Sequence, residues 1–287
     1  MSPQPITIAA VQPAVTSTSD EHPRMVATAW ELAAQAVDQG AQLLVLPECL
    51  NTIGLDPEET KHQAQQAEAF VDAARERCRQ LGVWLLLPVI EQRGELRFNA
   101  AHLITPSGEI AFTYDKTHLT ITERRDLGLT PGEWVPVVDT PLGRLGVMIC
   151  YDVYFPEVAR LLSLRKADAI LFPSLQRSDT PERCLLMSRV RAMDCACHLV
   201  RAGYGLPATE AYTPGKVYGQ SCVIAPDGTV LADAGLHEGL ALAQVDLHAP
   251  WTRHRCSGAP PEPVRDFLQE DRRPELYGDL TRPTSTP

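Results

Sequence analysis

The sequence predicts an α/β fold with internal pseudo-twofold symmetry, and three observations carry that prediction. Apolar, strand-like runs alternate with amphipathic helical stretches along most of the 287 residues. Each half closes a strand–helix–strand–helix series with a hairpin whose turn reads Pro-x-Gly, at Pro106-Ser107-Gly108 and at Pro226-Asp227-Gly228. Hydrophobic residues at 44% and charged residues at 22% describe an ordinary globular protein, which excludes disordered, collagen-like and coiled-coil classes. Consecutive βαβ units argue for sheets covered by helices.

Residues 6–12 read as a strand. Residues 23–39 read as a helix, with Met25, Ala29, Leu32, Ala33 and Ala36 at helical spacing and Gly40 as its stop. A short buried strand at 43–47 follows. Residues 58–81 hold a polar and then amphipathic helix (Phe70, Ala74, Cys78, Leu81) ended by Gly82, and 83–90 form the next strand. The first hairpin pairs 99–105 with 109–114. The second half repeats the order: a strand at 143–150, a helix at 156–166, a strand at 169–172, a helix at 181–197, a strand at 199–202, then the second hairpin. From Ala249 the pattern lapses and prolines crowd in, at 250, 260, 261, 263, 274, 283 and 287. Residues 257–287 therefore read as an extended arm, too rich in proline for a helix or central strand of its own. Such an arm either lies on its own subunit or grips a partner.

Charge and cysteine usage narrow the function. The balance of 26 Lys+Arg against 36 Asp+Glu gives −10, so a nucleic-acid-binding surface has no overall electrostatic support. No apolar run approaches the ~18 residues of a membrane span, and no membrane partner is expected. The start, Met1-Ser2-Pro3-Gln4-Pro5, lacks the basic and apolar regions of a signal peptide. The eight cysteines (49, 78, 150, 184, 195, 197, 222, 256) form no CxxC pair and mostly sit in apolar stretches, as buried thiols. A reduced, cytoplasmic setting is expected. The histidines show no HExxH spacing and the glycines no GxGxxG or GxxxxGK[ST], so neither a metal nor a nucleotide cofactor is expected.

Three residues could carry chemistry. Cys150 ends the apolar run Leu145–Ile149 and precedes a turn, where a nucleophile has an exposed side chain and converging backbone N–H groups. Glu48 ends Leu43-Leu-Val-Leu-Pro, where burying a carboxylate is expensive. Lys116 closes the first hairpin. Each alone has a bland explanation: core thiol, helix cap, solvated turn lysine. Together they suit attack on an amide carbonyl, which needs a nucleophile, a proton shuttle and an oxyanion stabiliser. Cys150 would attack, Glu48 would carry its proton to the departing amine, and Lys116 with the Tyr151 backbone N–H would hold the oxyanion.

The segments Leu43-Leu-Val-Leu-Pro-Glu48, Tyr114-Asp-Lys116-Thr-His-Leu119 and Gly146-Val-Met-Ile-Cys150-Tyr-Asp-Val-Tyr-Phe-Pro-Glu157 occur in that order. This resembles the nitrilase superfamily of carbon–nitrogen hydrolases, whose Glu–Lys–Cys triad lies at these motifs. The resemblance extends through Thr140-Pro-Leu-Gly-Arg-Leu-Gly146, Arg189-Val-Arg191-Ala-Met-Asp194, Gly219-Gln-Ser-Cys-Val-Ile-Ala-Pro-Asp-Gly228 and Arg272-Arg-Pro-Glu-Leu-Tyr277. It implies a four-layer αββα sandwich over 1–258, paired into homodimers or larger assemblies, with 259–287 at the subunit interface. It also implies that Glu123, in Thr120-Ile-Thr-Glu123-Arg, positions Lys116 and the substrate. Tyr151 and Tyr154, beside the nucleophile, are the expected substrate-binding residues.

Cys150-Tyr151-Asp152 resembles the amide-hydrolysing branches rather than true nitrilases, which typically carry Cys-Trp-Glu. The implied activity is cleavage of a small amide to acid and ammonia through a cysteine thioester. An N-carbamoyl amide hydrolase, a nitrilase or a non-catalytic interaction protein of the same fold stay open. Branches that bind a free carboxylate often place Arg just past the cysteine; here Val153-Tyr154-Phe155 supplies no cation. Arg191 and Asp194 are expected to form a structural ion pair. Arg201 is expected in a rim salt bridge rather than on a substrate anion.

Overall fold

Both faces of the first strand are apolar. In β1 (Ile6–Gln12), Ile6, Ile8 and Ala10 point one way and Ala9 and Val11 the other, and all five are buried. A strand of that kind belongs between two covering layers. The computed structural model describes residues 4–217 and 219–282, and it divides into two units, Met1–His248 and Ala249–Pro287. Residues 1–3 of the N-terminal stretch and 283–287 of the arm lie outside the described residues.

The first half of unit one runs β1, α1 (His22–Asp38), β2 (Leu43–Val45), α2 (Pro57–Gln65), α3 (Ala67–Leu81), β3 (Trp84–Arg93), β4 (Leu96–Ile104) and β5 (Ile110–Asp115). A short helix, α4 (Ile121–Arg125), leads to the second half. That half runs β6 (Val137–Thr140), β7 (Gly143–Val147), α5 (Pro156–Leu164), β8 (Ala169–Pro173), α6 (Pro181–Cys195), β9 (His198–Ala202), β10 (Cys222–Ile224), β11 (Val230–Asp233) and β12 (Gly239–Val245).

The strands form two six-stranded sheets, ordered β12-β1-β2-β3-β4-β5 and β6-β7-β8-β9-β10-β11. Read in those directions, both sheets pair antiparallel, parallel, parallel, antiparallel, antiparallel. The pseudo-twofold relation thus extends to strand order and sense. Both hairpins also break register near their turns, at Leu103/Ile104 and Val223/Ile224. Gly108 and Gly228 take positive φ (75° and 81°). Their carbonyls accept from Arg75 of α3 at 2.7 Å and Arg189 of α6 at 2.8 Å, so each turn is tied to the helix covering its sheet.

Three apolar clusters define four layers. Ile8, Val45, Leu86 and Leu103 meet Val147, Leu171, Val200 and Val223 between the sheets. Ala9, Leu44 and Leu85 pack on Ala29, Ala33 and Ala74 of α1 and α3. Ile170, Phe172 and Leu199 pack on Leu162 and Ala192 of α5 and α6. The αββα sandwich implied by the sequence is the architecture of unit one. Two edge strands escaped the sequence reading: β6 and β12 are short or half-exposed and carry weak alternation.

The arm differs from its expectation. β13 (Thr252–His254) pairs antiparallel with β14 (Pro261–Pro263), which keeps both sides of position 258 in one unit and puts the division at 248/249 instead. A helix, α7 (Val264–Glu270), also forms there. Proline density misled the reading because the prolines cluster at 260–263 and at 274, leaving 264–273 free of them. Arg255 gathers this unit: it pairs with Glu262, Glu270 and Asp271 and lies 5.3 Å over the Phe267 ring. Among the described residues, no helix is long and apolar enough to cross a membrane.

Candidate active site

Glu48 stands just past β2, where the strand breaks into a turn. Asn51 secures that turn, exchanging two hydrogen bonds with the Ile90 backbone of β3 (2.8 and 2.9 Å), as a neighbouring strand residue would. Cys49 takes a left-handed φ of 58° inside the turn, an unusual conformation for a residue with a side chain. The result is a carboxylate only 3% exposed and fully engaged. Its Oε1 accepts from Lys116 Nζ and from Asn99 Nδ2, both at 2.8 Å, and its Oε2 accepts from the Leu175 N–H at 2.8 Å.

Lys116 follows β5 and comes from 68 residues further along the chain. Its backbone is clamped on both sides, its N–H donating to Asn99 O and its carbonyl accepting from Gly132 N–H, each at 2.9 Å. A Cβ at Gly132 would collide with the Asp115 carbonyl, so only glycine permits this approach. The ammonium, 1% exposed, also bonds both oxygens of Glu123 at 2.8 and 3.0 Å. Glu123 lies in α4, where it forms a capping box with Thr120. Thr120-x-x-Glu123 is the sequence signal for that helix. Asn99 Nδ2 donates to Glu123 as well, at 2.8 Å, and so bridges the two carboxylates.

Cys150 begins a 3-10 turn (Cys150–Tyr154) with φ of 43°, again left-handed. The expected strand at 143–150 is therefore shorter; β7 ends at Val147 and Met148 N–H still reaches Leu171 O before the chain turns. Asp152 holds the turn. This carboxylate, fully buried, accepts from Ile149 N–H (2.9 Å), Tyr114 Oη (2.8 Å), Thr117 Oγ1 (3.0 Å) and His118 N–H (3.0 Å). Arg191 supports it from α6, donating to Val153 O at 3.0 Å while pairing with Asp194 at 3.2 Å.

Glu48, Lys116, Glu123, Cys150, Tyr151 and Tyr154 all line one pocket of about 320 Å³. That size is at the small end for ligand cavities, suited to a compact molecule. Charge settles the protonation of its groups. Burial pushes the Cys150 thiol well above its ordinary range, and the Glu48 carboxylate pushes it further, against the pull of Lys116. For Lys116, burial alone would lower the pKa, but the Glu48 and Glu123 carboxylates outweigh it and hold the ammonium well above its usual value. Burial opposes ionisation of Glu123 too, yet Lys116 and the hydrogen bonds around it keep the carboxyl below the ordinary range. The resting site is thus a protonated thiol beside an ion-paired carboxylate.

Some participants were not legible beforehand. Asn99 sits in the middle of β4 beside buried Ala100 and Ala101, and its only signal was an amide in an apolar strand. Tyr204 donates to the Glu48 carbonyl at 2.9 Å from a segment with no motif. Arg201 corrects its expectation: it is 2% exposed, not at a rim, and donates to Gly219 O at 2.6 Å. It does not line the pocket. Among the described residues, no group of three or more His, Cys, Asp or Glu is arranged to hold a metal ion.

The chain matches the carbon-nitrogen hydrolase family over residues 7–249, which includes every residue of the site described here from Glu48 to Gly219. It belongs to that family. Among curated carbon-nitrogen hydrolases, it is 32% identical to the human deaminated glutathione amidase over 94% of this chain and 84% of that protein. It is 31% identical to an omega-amidase from Xenopus tropicalis, covering 76% of this chain and 82% of the other. A nitrilase-superfamily amidase from Nesterenkonia superposes with a TM-score of 0.77 at 26% identity, over 98% of both chains. A glutamate-to-glutamine variant of that amidase carries the acetamide moiety of fluoroacetamide on its active-site cysteine (TM-score 0.76, 27% identity, 97% and 98% covered).

Proposed function

We propose that this carbon-nitrogen hydrolase cleaves small carboxamides to acid and ammonia through a thioester on Cys150. The observation that carries the reading is the buried Glu48–Lys116–Glu123 cluster in one pocket with a protonated thiol. Glu48 takes the Cys150 proton as sulfur bonds to the carbonyl carbon. Lys116 Nζ contacts Glu48 Oε1 and both Glu123 oxygens; as charge develops, the donor of its longer Glu123 contact (3.0 Å) turns, with the Tyr151 N–H, to the oxyanion. Collapse breaks the C–N bond, Glu48 delivers the proton to nitrogen, and ammonia leaves. Glu48 then takes a proton from water as hydroxide adds to the thioester. The C–S bond breaks, the proton returns to sulfur, and the acid departs.

Similarity to proteins named as amidases supports amides over nitriles. Screening ammonia release from short amides, N-carbamoyl compounds and nitriles tests the reading. Amides should be turned over at rates the other two classes do not approach; preferential release from nitriles would overturn it.

Assembly as a homodimer or larger belongs to the same proposal. Leu186, Val190 and Met193 form an exposed stripe on α6, with Leu161 exposed on α5. In the arm, Leu276 and Leu280 are also exposed. A second copy of the chain is the partner proposed for these surfaces. The buried thiols favour a reducing, cytoplasmic setting.

A further inference from the structure

Lys116 and Asn99 bridge the same two oxygens. Lys116 Nζ donates to Glu48 Oε1 and to Glu123 Oε1, each at 2.8 Å. Asn99 Nδ2 donates to that same pair, again at 2.8 Å each. Asn99 is fully buried in β4 and does not line the pocket. Its own carbonyl holds the Lys116 N–H at 2.9 Å, so backbone and side chain serve one cluster. The amide orientation is forced, because turned over it would set Oδ1 against two carboxylate oxygens. As it stands, Oδ1 is buried with no hydrogen-bond partner, which is costly. An apolar side chain of this shape would avoid that cost, so what Asn99 contributes lies in its two N–H groups.

Lone pairs give the consequence. Each oxygen of a carboxylate offers two acceptor positions. Both positions on Glu48 Oε1 are taken, by Lys116 and Asn99. Glu123 Oε1 is filled by the same two donors. Its Oε2 takes Lys116, the Thr120 N–H and the Thr120 hydroxyl at 3.0, 2.7 and 2.9 Å. Glu48 Oε2 accepts only the Leu175 N–H among the described residues, at 2.8 Å, and keeps one position open. That position lies beside the nucleophile, since the Leu175 N–H and Glu48 both act on the Cys150 sulfur as hydrogen-bond partners. The Lys116 donor that turns to the oxyanion leaves Glu123 Oε2, which retains Thr120. Asn99 keeps the two Oε1 atoms bridged while the ammonium moves.

We propose that Asn99 is a positioning residue that closes Oε1 of Glu48 and so makes Oε2 the oxygen that exchanges the proton with Cys150. The inference rests on the amide reading above and assigns the base within it to one atom. As sulfur bonds to the carbonyl carbon, the S–H bond breaks and the proton takes the open lone pair of Oε2. It passes from there to the departing nitrogen as the C–N bond breaks, and the proton of the attacking water later lands on the same oxygen. Without Asn99, Oε1 has an open position of its own, where a proton sits away from the thiol.

The test replaces Asn99 in the full-length protein and follows ammonia release from a short aliphatic amide between pH 4 and pH 9. In Asn99→Ala, kcat should fall about 10- to 100-fold with KM within about twofold of wild type, since the lost donors serve a charged acceptor outside the substrate contacts. The acid limb of kcat/KM reports the base that must be ionised. It should move up by about one pH unit, because a hydrogen bond to the charged form is gone. Asn99→Asp keeps the shape and removes both donors, so it reads the same effect should the alanine variant not fold. At pH 8 its kcat should fall at least as far. Its activity relative to wild type should rise as pH drops and the new carboxyl, once protonated, regains one donor. An acid limb left in place in Asn99→Ala, with only the amplitude of turnover or the stability reduced, would assign Asn99 to packing and overturn the proposal. So would wild-type kcat at pH 8 in Asn99→Asp, or a loss carried by KM in either variant. No ammonia from wild type on any amide would instead overturn the amide reading itself.

Discussion

The carboxylate of Asp152 accepts the hydroxyl of Tyr114 at 2.8 Å, with both side chains fully buried. Tyr114 lies two residues before Lys116, and Asp152 two residues after Cys150. The same carboxylate takes N–H groups from Ile149 and His118, so it links the turn bearing the thiol to the loop bearing the ammonium. Burial, then the charge of Asp152, pushes the Tyr114 hydroxyl well up, which keeps it a donor.

Replacing Asp152 by Asn therefore sets an NH2 group against at least two donors. Turnover should fall at least about tenfold, more in kcat than in KM, and unfolding should cost about 3 kcal/mol less. Steady-state kinetics and denaturant titration check both. An unchanged kcat would leave Asp152 with no role in positioning the nucleophile.

Lys116→Met leaves Glu48 and Glu123 facing one another across Asn99 with no cation between them. Removing one partner of a buried ion pair costs about 3–5 kcal/mol. We expect a stability loss of that order and no measurable ammonia release. Wild-type stability in this variant would mean that the lysine charge does not hold the carboxylates together.

The same cluster predicts a pH window for stability. Glu123 has a folded pKa below its ordinary 4.5, so its contribution is present above that value and is lost as pH falls through the depressed one. Lys116 is raised, so its contribution is present below its ordinary 10.5 and is lost only at still higher pH. The stability gap between wild type and Glu123→Gln should therefore be flat across neutral pH and close in acid. Denaturant midpoints from pH 3 to pH 8 measure it, and a gap that widens in acid would contradict the assigned charges.

Legibility in the sequence followed the range of the interactions involved. The central strands and covering helices announced themselves because burial on two faces imposes long apolar runs, as in residues 43–46 and 169–172. The four αββα layers and the Glu, Lys and Cys positions came from ordered motifs. The edge strands β6 and β12 were hidden because half-exposed strands need little apolar pattern. Asn99 and Tyr204 were hidden for another reason. Their partners lie 51 and 156 residues away, and no local spacing encodes a contact that the sandwich creates. In the arm, proline position matters more than proline count, since 264–273 is free of proline and α7 forms there.

The exposed apolar groups of the arm and of α6 predict association. Leu276→Asp with Leu280→Asp should lower the native mass measured by light scattering, since each large side chain buried in an interface contributes roughly 1.5–3 kcal/mol. Leu186→Glu should do the same if α6 also pairs. A monomeric wild type, or a mass unmoved by the arm substitutions, removes the proposed role of the arm.

The thiol itself gives the most direct test. Wild type and Cys150→Ala are incubated with a short aliphatic amide, ammonia is measured, and wild type quenched in mid-turnover is mapped by mass spectrometry. Wild type should release one ammonia per acid, the alanine variant none despite an intact fold, and the acyl mass increment should fall on Cys150 alone among the eight cysteines. Undiminished ammonia release by Cys150→Ala, or an acyl group mapped to Cys49 or any other cysteine, would contradict a thioester on Cys150.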